Sequence, residues 1–269
     1  MNSSPRFPLL PLLGLSLLLA PSPASAAASK LEYTRDGSGV SGYRDTPRLP
    51  WCGFLVHDPD RPVPPRLDPG PAPAAPAAVP ADAIVLFGGR DLAAWQPSDW
   101  RVANGVLVAE SGRLVSKESF GDAQIHVEWL APADFQGTWE NRGNNGVMLM
   151  GLYEIQIYDS FHEKLYADGQ AASIYGQTPP RVNVTRRPGE WQTYDIFFTA
   201  PRFEGGRLVA PARVTMLHNG VLVHLNEEIR GETGHRVLPA YRQQISRGPL
   251  ALAGHKCPVQ FRSIWVRRL

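Results

Sequence analysis

An all-β protein, a sandwich of short strands, is the fold class that three observations in this sequence predict. Apolar and polar residues alternate with a period of two through most of the chain after Ile84. No long amphipathic helix can be drawn anywhere. The 25 Gly and 26 Pro supply turns for many short strands.

From the N-terminus, Arg6 followed by the apolar run Leu9–Ala20 and then Pro21-Ser22-Pro23-Ala24-Ser25-Ala26 has the pattern of a cleaved signal peptide. The run is interrupted by Pro11 and is shorter than the roughly 20 residues a membrane span needs. Residues 1–26 are therefore expected to be removed, leaving a secreted or periplasmic protein without a transmembrane segment. Residues 27–58 hold anchors such as Tyr43 and Trp51 but are too few to fold alone, so an extension packing on the main domain is expected. Residues 59–82 are rich in Pro and Ala with almost no aromatic content, which predicts an extended linker that builds no core.

The main domain is expected over 83–269. Gln124–Trp129 alternates strictly, with Ile125, Val127 and Trp129 on one face. Asn145–Met150 reads as a turn into a buried strand, and Thr193–Thr199 as a further strand. Val214–His218 and Val221–Leu225 flank Asn219-Gly220, a pair suited to the positive φ angles of a tight hairpin turn. Val259–Arg267 is the terminal strand, and Trp95, Trp129, Trp191 and Trp265 are mostly core by position.

A formal charge of +2, from 27 basic and 25 acidic residues, exerts no long-range pull on nucleic acid or anionic lipid. HExxH, paired CxxC and P-loop motifs are absent, which removes support for zinc-protease, thiol-redox and nucleotide chemistry. No cofactor is evident, and a divalent metal stays open because Glu, Asp and His are present without diagnostic spacing. The two cysteines, Cys52 and Cys257, either pair across the extension and the last strand or stay separate thiols. Oligomeric state is not legible.

The most informative stretch is Tyr153-Glu154-Ile155-Gln156-Ile157-Tyr158-Asp159-Ser160. A strand offering a carboxylate, a carboxamide and a second carboxylate at its end suits a hydroxyl-rich ligand or proton transfer. Several motifs around it follow a known order. Leu86-Phe87-Gly88-Gly89-Arg90-Asp91-Leu92 and Trp100–Leu107 come first, then Asn144-Asn145-Gly146-Val147 and the Tyr153–Ile157 strand. Ser173-Ile174-Tyr175-Gly176, Gly189-Glu190-Trp191-Gln192, His218-Asn219-Gly220 and Gly254–Ile264 complete the succession. In this order the chain resembles the domain of unknown function 1080, also called the 3-keto-disaccharide hydrolase family, across about residues 84–269. The resemblance implies a concanavalin A-like jelly-roll sandwich whose concave sheet binds glycans, and action on sugars oxidised to a ketone at C3. Departures fall at Asn145, where the family has Ser, at Lys256-Cys257, and at Ala253, where an acidic residue often stands.

On that resemblance the candidate catalytic residues are Glu154, Asp159, His255 and Glu128, with Gln156, Arg142, Asn144, Asn145 and Tyr175 for substrate binding. A C3 ketone acidifies the hydrogen on C2, so a base there can expel the C1 substituent by β-elimination, and water then adds back. Glu154 is the first choice for that base, or for a metal ligand; otherwise it is a solvated sheet residue. Asp159 faces the other way unless the strand breaks near Tyr158. Glu128 shares a polar face with His126, useful if that face is concave and decoration if it is convex. Arg142, Asn144 and Asn145 sit in a polar loop after Trp139-Glu140 that is otherwise a plain turn. Tyr175 either stacks on a sugar or packs in the core, and His255 stands in a loop where it can act near neutral pH. A carbohydrate is the expected partner. The alternative functions are a non-catalytic, lectin-like carbohydrate-binding module and an envelope scaffold domain.

Overall fold

A computed structural model describes Met1 and residues 30–134, 141–162 and 164–269. Apart from Met1, the expected signal peptide lies outside the described residues, as do Trp139 and Glu140. Among the described residues no helix is long and apolar enough to cross a membrane.

The strands in chain order are β1 (Glu32–Tyr33), β2 (Ser41–Gly42), β3 (Ile84–Phe87), β4 (Arg101–Ala103), β5 (Val106–Val108), β6 (Gly112–Phe120), β7 (Ala123–Leu130) and β8 (Asn145–Leu149). They continue as β9 (Tyr153–Ile157), β10 (Gln192–Thr199), β11 (Arg202–Glu204), β12 (Arg207–Ala210), β13 (Ala212–His218), β14 (Val221–Ile229), β15 (Gly248–Gly254) and β16 (Gln260–Arg268). One sheet runs β14-β13-β10-β7-β16-β5-β4, with β3 also paired to β16, and a four-stranded sheet runs β6-β15-β8-β9. Their pairings are antiparallel. This is the all-β jelly-roll sandwich that the sequence predicts.

Alternation explains which side of each strand faces the core. Tyr153, Ile155 and Ile157 of β9 and Val147 and Leu149 of β8 are fully buried. They belong to the same core as Ile125, Val127 and Trp129 of β7 and Tyr194, Ile196 and Phe198 of β10. Each such aliphatic side chain contributes about 1.5–3 kcal/mol when buried. A one-residue slip of β9 would turn three of these side chains outward, so the register is firmly set. The same register sends Glu154 and Gln156 to the outer face of the smaller sheet. Asn219 and Gly220, at φ 53° and 78°, form the tight turn between β13 and β14.

The two segments ahead of β3 both lie on the sandwich. In the extension, Ser41 donates its N–H to the Lys164 carbonyl and Tyr43 donates to the His57 carbonyl. The Pro/Ala tract, expected as a linker, is laid along the large sheet. Leu67 donates to the Asn183 carbonyl, and the Ala77 N–H donates to Glu128 Oε1 at 2.7 Å. A tract that cannot build its own core still satisfies polar groups of a neighbour through its backbone. Cys52 is exposed and Cys257 buried, and both are free thiols, which corrects the possible disulfide. Cys257 Sγ instead accepts the Gly143 N–H at 3.2 Å.

Candidate active site

The outer face of the four-stranded sheet is the floor of a cleft of about 520 Å³. Register fixes two rows across it. Arg113, Ala253, Gly146 and Gln156 form one, and Val115, Ala251, Met148 and Glu154 the other. Small residues in the middle of the floor leave the cleft open. At Gly146 a Cβ would stand 2.1 Å from Glu154 Oε1, so any side chain there would push the Glu154 carboxylate aside. The Glu154 carboxylate therefore leans over Gly146, toward the middle of the sheet. The end of the Gln156 side chain lies 3.2 Å from Glu154 Oε1, a hydrogen bond when its amide nitrogen faces the carboxylate.

Beyond β9 the floor meets a wall. Tyr175 donates its backbone N–H to the Glu154 carbonyl, while Glu154 donates its own N–H to Thr233 Oγ1 at 3.0 Å. The Tyr175 hydroxyl lies 2.9 Å from His235 Nδ1 and 3.1 Å from the Tyr166 hydroxyl. Tyr43, from the extension, meets the His235 ring edge-on at 5.4 Å. The opposite end of the cleft is polar, with Asn144, Arg113 and His255. Arg113 reaches across to donate to the Gly151 carbonyl at 3.2 Å.

Burial sets the charge states. It pushes the half-buried Glu154 carboxyl up to about 7, and the Arg113 charge only partly opposes the rise. Burial also holds the Tyr175 and Tyr166 hydroxyls above their ordinary value, so both stay protonated. His255 is lowered by burial and then by Arg113; His235 is lowered by burial, then by His57 and Arg236. Near neutral pH the cleft thus holds a carboxyl on the edge of ionisation, neutral imidazoles and one guanidinium. Among the described residues no group of three or more His, Cys, Asp or Glu side chains is placed to hold a metal ion.

The 3-keto-alpha-glucoside-1,2-lyase-like domain family matches this chain over residues 82–267. The chain belongs to that family. No curated protein matches it. Among solved structures it is similar to a "putative glycosyl hydrolase" from Parabacteroides distasonis ATCC 8503, 36% identical, with a TM-score of 0.70 over 83% of this chain and 100% of that chain. A second protein of the same description from that organism is 18% identical, with a TM-score of 0.52 over 70% of this chain and 94% of that chain; it shares the fold. Membership of the 3-keto-alpha-glucoside-1,2-lyase-like family gives the chain a carbohydrate-active role.

Within this family member, the structure brings Glu154, Gln156, Asn144, Tyr175 and His255 to one cleft. Four other candidates lie elsewhere. β9 does end at Ile157, as Asp159 would need, yet Asp159 is buried among loop backbone. It accepts the N–H groups of Phe161 and His162 and pairs with Arg142 at 3.2 Å, so both residues brace the loop after β9. Asn145 is fully buried and donates toward the Cys257 carbonyl. Glu128 belongs to the other sheet, fully buried beneath the Pro/Ala tract and paired with Arg262 at 2.6 Å. Sequence reasoning missed Arg113 and His235. Arg113 carries a weak signal, since alternation opposite buried Leu114 points it outward, whereas His235 stands in a loop without periodicity.

Proposed function

We propose that this protein cleaves 3-keto-glycosides by β-elimination and hydration, with Glu154 as the base that removes the C2 proton. The observation that carries this reading is the Glu154 carboxyl, raised to about 7 and held over Gly146 in the floor of an open cleft. A base poised near the working pH combines a useful ionised fraction with enough basicity to take a carbon-bound proton.

The C3 carbonyl acidifies the C2 hydrogen. As Glu154 takes that proton, the electron pair moves onto the C3 oxygen as an enolate. Arg113 and the neutral His255 imidazole stand at the polar end of the cleft, where a developing oxyanion gains most from cationic and N–H donors. Collapse of the enolate breaks the C1–O bond, and the departing oxygen takes a proton from solvent water, which is made good by the proton that the water adding to C1 releases. Water then adds to C1 of the resulting enone, and the protonated Glu154 returns a proton to C2. The net change is hydrolysis, reached without the paired-carboxylate geometry of ordinary glycosidases. Export belongs to the same proposal and rests on the leader-like residues 1–26.

The test is incubation with a 3-keto-disaccharide in D2O, followed by NMR. The expected result is release of 3-keto-glucose carrying deuterium at C2. Binding of glycans without turnover or exchange would replace the enzyme with the carbohydrate-binding module.

A further inference from the structure

The cleft is asymmetric across the strand order. Arg113 springs from β6, its guanidinium reaching the Gly151 carbonyl of the β8–β9 turn, and His255 follows β15, whereas Tyr43, Tyr166, Tyr175 and His235 lie beyond β9. In a 3-keto-glycoside the carbonyl, the acidic hydrogen and the leaving group sit on three successive carbons. With the C3 oxygen toward Arg113 and C2 over Glu154, C1 and its substituent run toward the aromatic end. Resting on the eliminative reading above, we infer that this aromatic end is the subsite for the leaving group. Tyr43, outside the matched family domain, determines which leaving groups fit.

The chemistry of that end selects a ring. Tyr43 and His235 meet edge-on at 5.4 Å, and Tyr175 and His235 are stacked at 6.5 Å with their planes 17° apart. The exposed His235 ring and the half-buried Tyr175 ring offer apolar area to an aryl group or to the apolar face of a second sugar, and the buried Tyr43 packs beside them as a lining residue of the cleft. The Tyr175 hydroxyl, held between His235 and Tyr166, adds a polar group to this wall. A methyl group would leave this surface unused. A second hollow of about 300 Å³, which includes Tyr33 and Ser41 of the extension, shares Tyr158 and Leu165 with this end. The subsite therefore has room to continue along the extension.

The extension is fastened so that Tyr43 holds its position. Asp168, fully buried, accepts the His57 backbone N–H at 3.1 Å and faces His57 Nδ1 at 3.2 Å and Arg61 at 3.7 Å. The His57 ring in turn stacks on His235 at 5.1 Å and lies 4.1 Å from the Tyr166 ring. His57 of the extension and Arg61 of the Pro/Ala tract thus compensate a carboxylate of the domain, and His57 backs the wall of the cleft. A buried carboxylate stripped of such partners is strongly unfavourable, which ties the extension to the site.

The experiment compares kcat/KM for methyl and 4-nitrophenyl 3-keto-glucosides of the same anomer, using the mature chain with its extension. Wild-type protein is expected to favour the aryl glycoside by tenfold or more. Tyr43→Ala and His235→Ala are expected to lower that preference at least fivefold, mainly through KM for the aryl substrate. His235 lies in an exposed loop, and Tyr43→Leu keeps bulk in the wall, so these two carry the test should Tyr43→Ala fail to fold. Equal losses for both glycosides across the variants would overturn the inference. In parallel, C2 hydrogen exchange of free 3-keto-glucose in D2O reports on the base without any aglycone in the subsite. Absence of that exchange in the wild type sinks the eliminative reading and the subsite with it; exchange with an unchanged aryl preference sinks the subsite alone.

Discussion

Glu154 and Glu128 occupy equivalent places in the strand pattern and opposite places in the chemistry. Each is an outward-facing carboxylate between inward-facing apolar residues, Glu154 on the smaller sheet and Glu128 on the larger. Glu128 receives Arg262 at 2.6 Å, the Ala77 N–H at 2.7 Å and His126 at 3.4 Å, and it is fully buried. Burial alone would raise its carboxyl, yet the bonds from His126, Ala77 and Arg262 outweigh that and hold it below its ordinary value. Glu154 has the neutral Gln156 amide beside it and the Arg113 charge against its burial, and its carboxyl rises to about 7. Partners, rather than burial, decide whether a carboxylate braces a fold or stays reactive.

The largest consequence of this contrast is expected for Glu154→Gln. Removing the base should lower kcat/KM for a 3-keto-disaccharide by about 10²–10⁴-fold, the usual worth of a positioned general base, with circular dichroism unchanged. In the wild type kcat/KM should rise with pH through about 7, as the carboxyl ionises, and the little activity left in the variant should lack that step. Retained activity in Glu154→Gln would move the base elsewhere.

Glu128→Ala is expected to act on stability instead. It leaves Arg262 and the buried His126 without their shared carboxylate, a loss of about 3–5 kcal/mol measured by urea denaturation. The protein that remains folded should keep its kcat. A normal stability with a collapsed kcat would reverse the roles of the two carboxylates.

Gly146→Ala probes the space that separates the two environments. Its new methyl group would displace the Glu154 carboxylate from the floor. The expected result is a roughly tenfold to hundredfold fall in kcat with little change in the midpoint of unfolding, since misplacing a catalytic group by about 1 Å has effects of this size.

The smallest effect is a pH dependence of stability with opposite signs at the two sites. Glu154 binds its proton more tightly folded than unfolded. Its contribution is therefore favourable at low pH and lost as pH rises from about 4.5 toward about 7. Glu154→Gln should accordingly be more stable than wild type at pH 8, by on the order of 1–3 kcal/mol, and should match it near pH 4. Glu128, held below its ordinary value, contributes stability present above about 4.5 and lost as pH falls through its folded value. Unfolding curves for both variants from about pH 2 to 8 separate the two signs.

Much of this arrangement is written locally. The alternation Tyr153-Glu154-Ile155-Gln156-Ile157 by itself put Glu154 and Gln156 on one face and the core on the other, because pleating turns successive side chains to opposite sides. Asn219-Gly220 by itself marked the hairpin, because its two residues accept positive φ. The motif order by itself placed the chain in its family. Tertiary structure alone decided which polar face stays open. The Pro/Ala tract covers Glu128, whereas Glu154 lines an open cleft. It also brought Tyr43, Arg113 and His235 together from distant points of the chain, and it turned Asp159 into a loop brace. The physical reason is one of range. A strand's two faces follow from neighbours two residues apart, whereas the covering and the charge partners of a face come from segments that only the folded chain brings into contact.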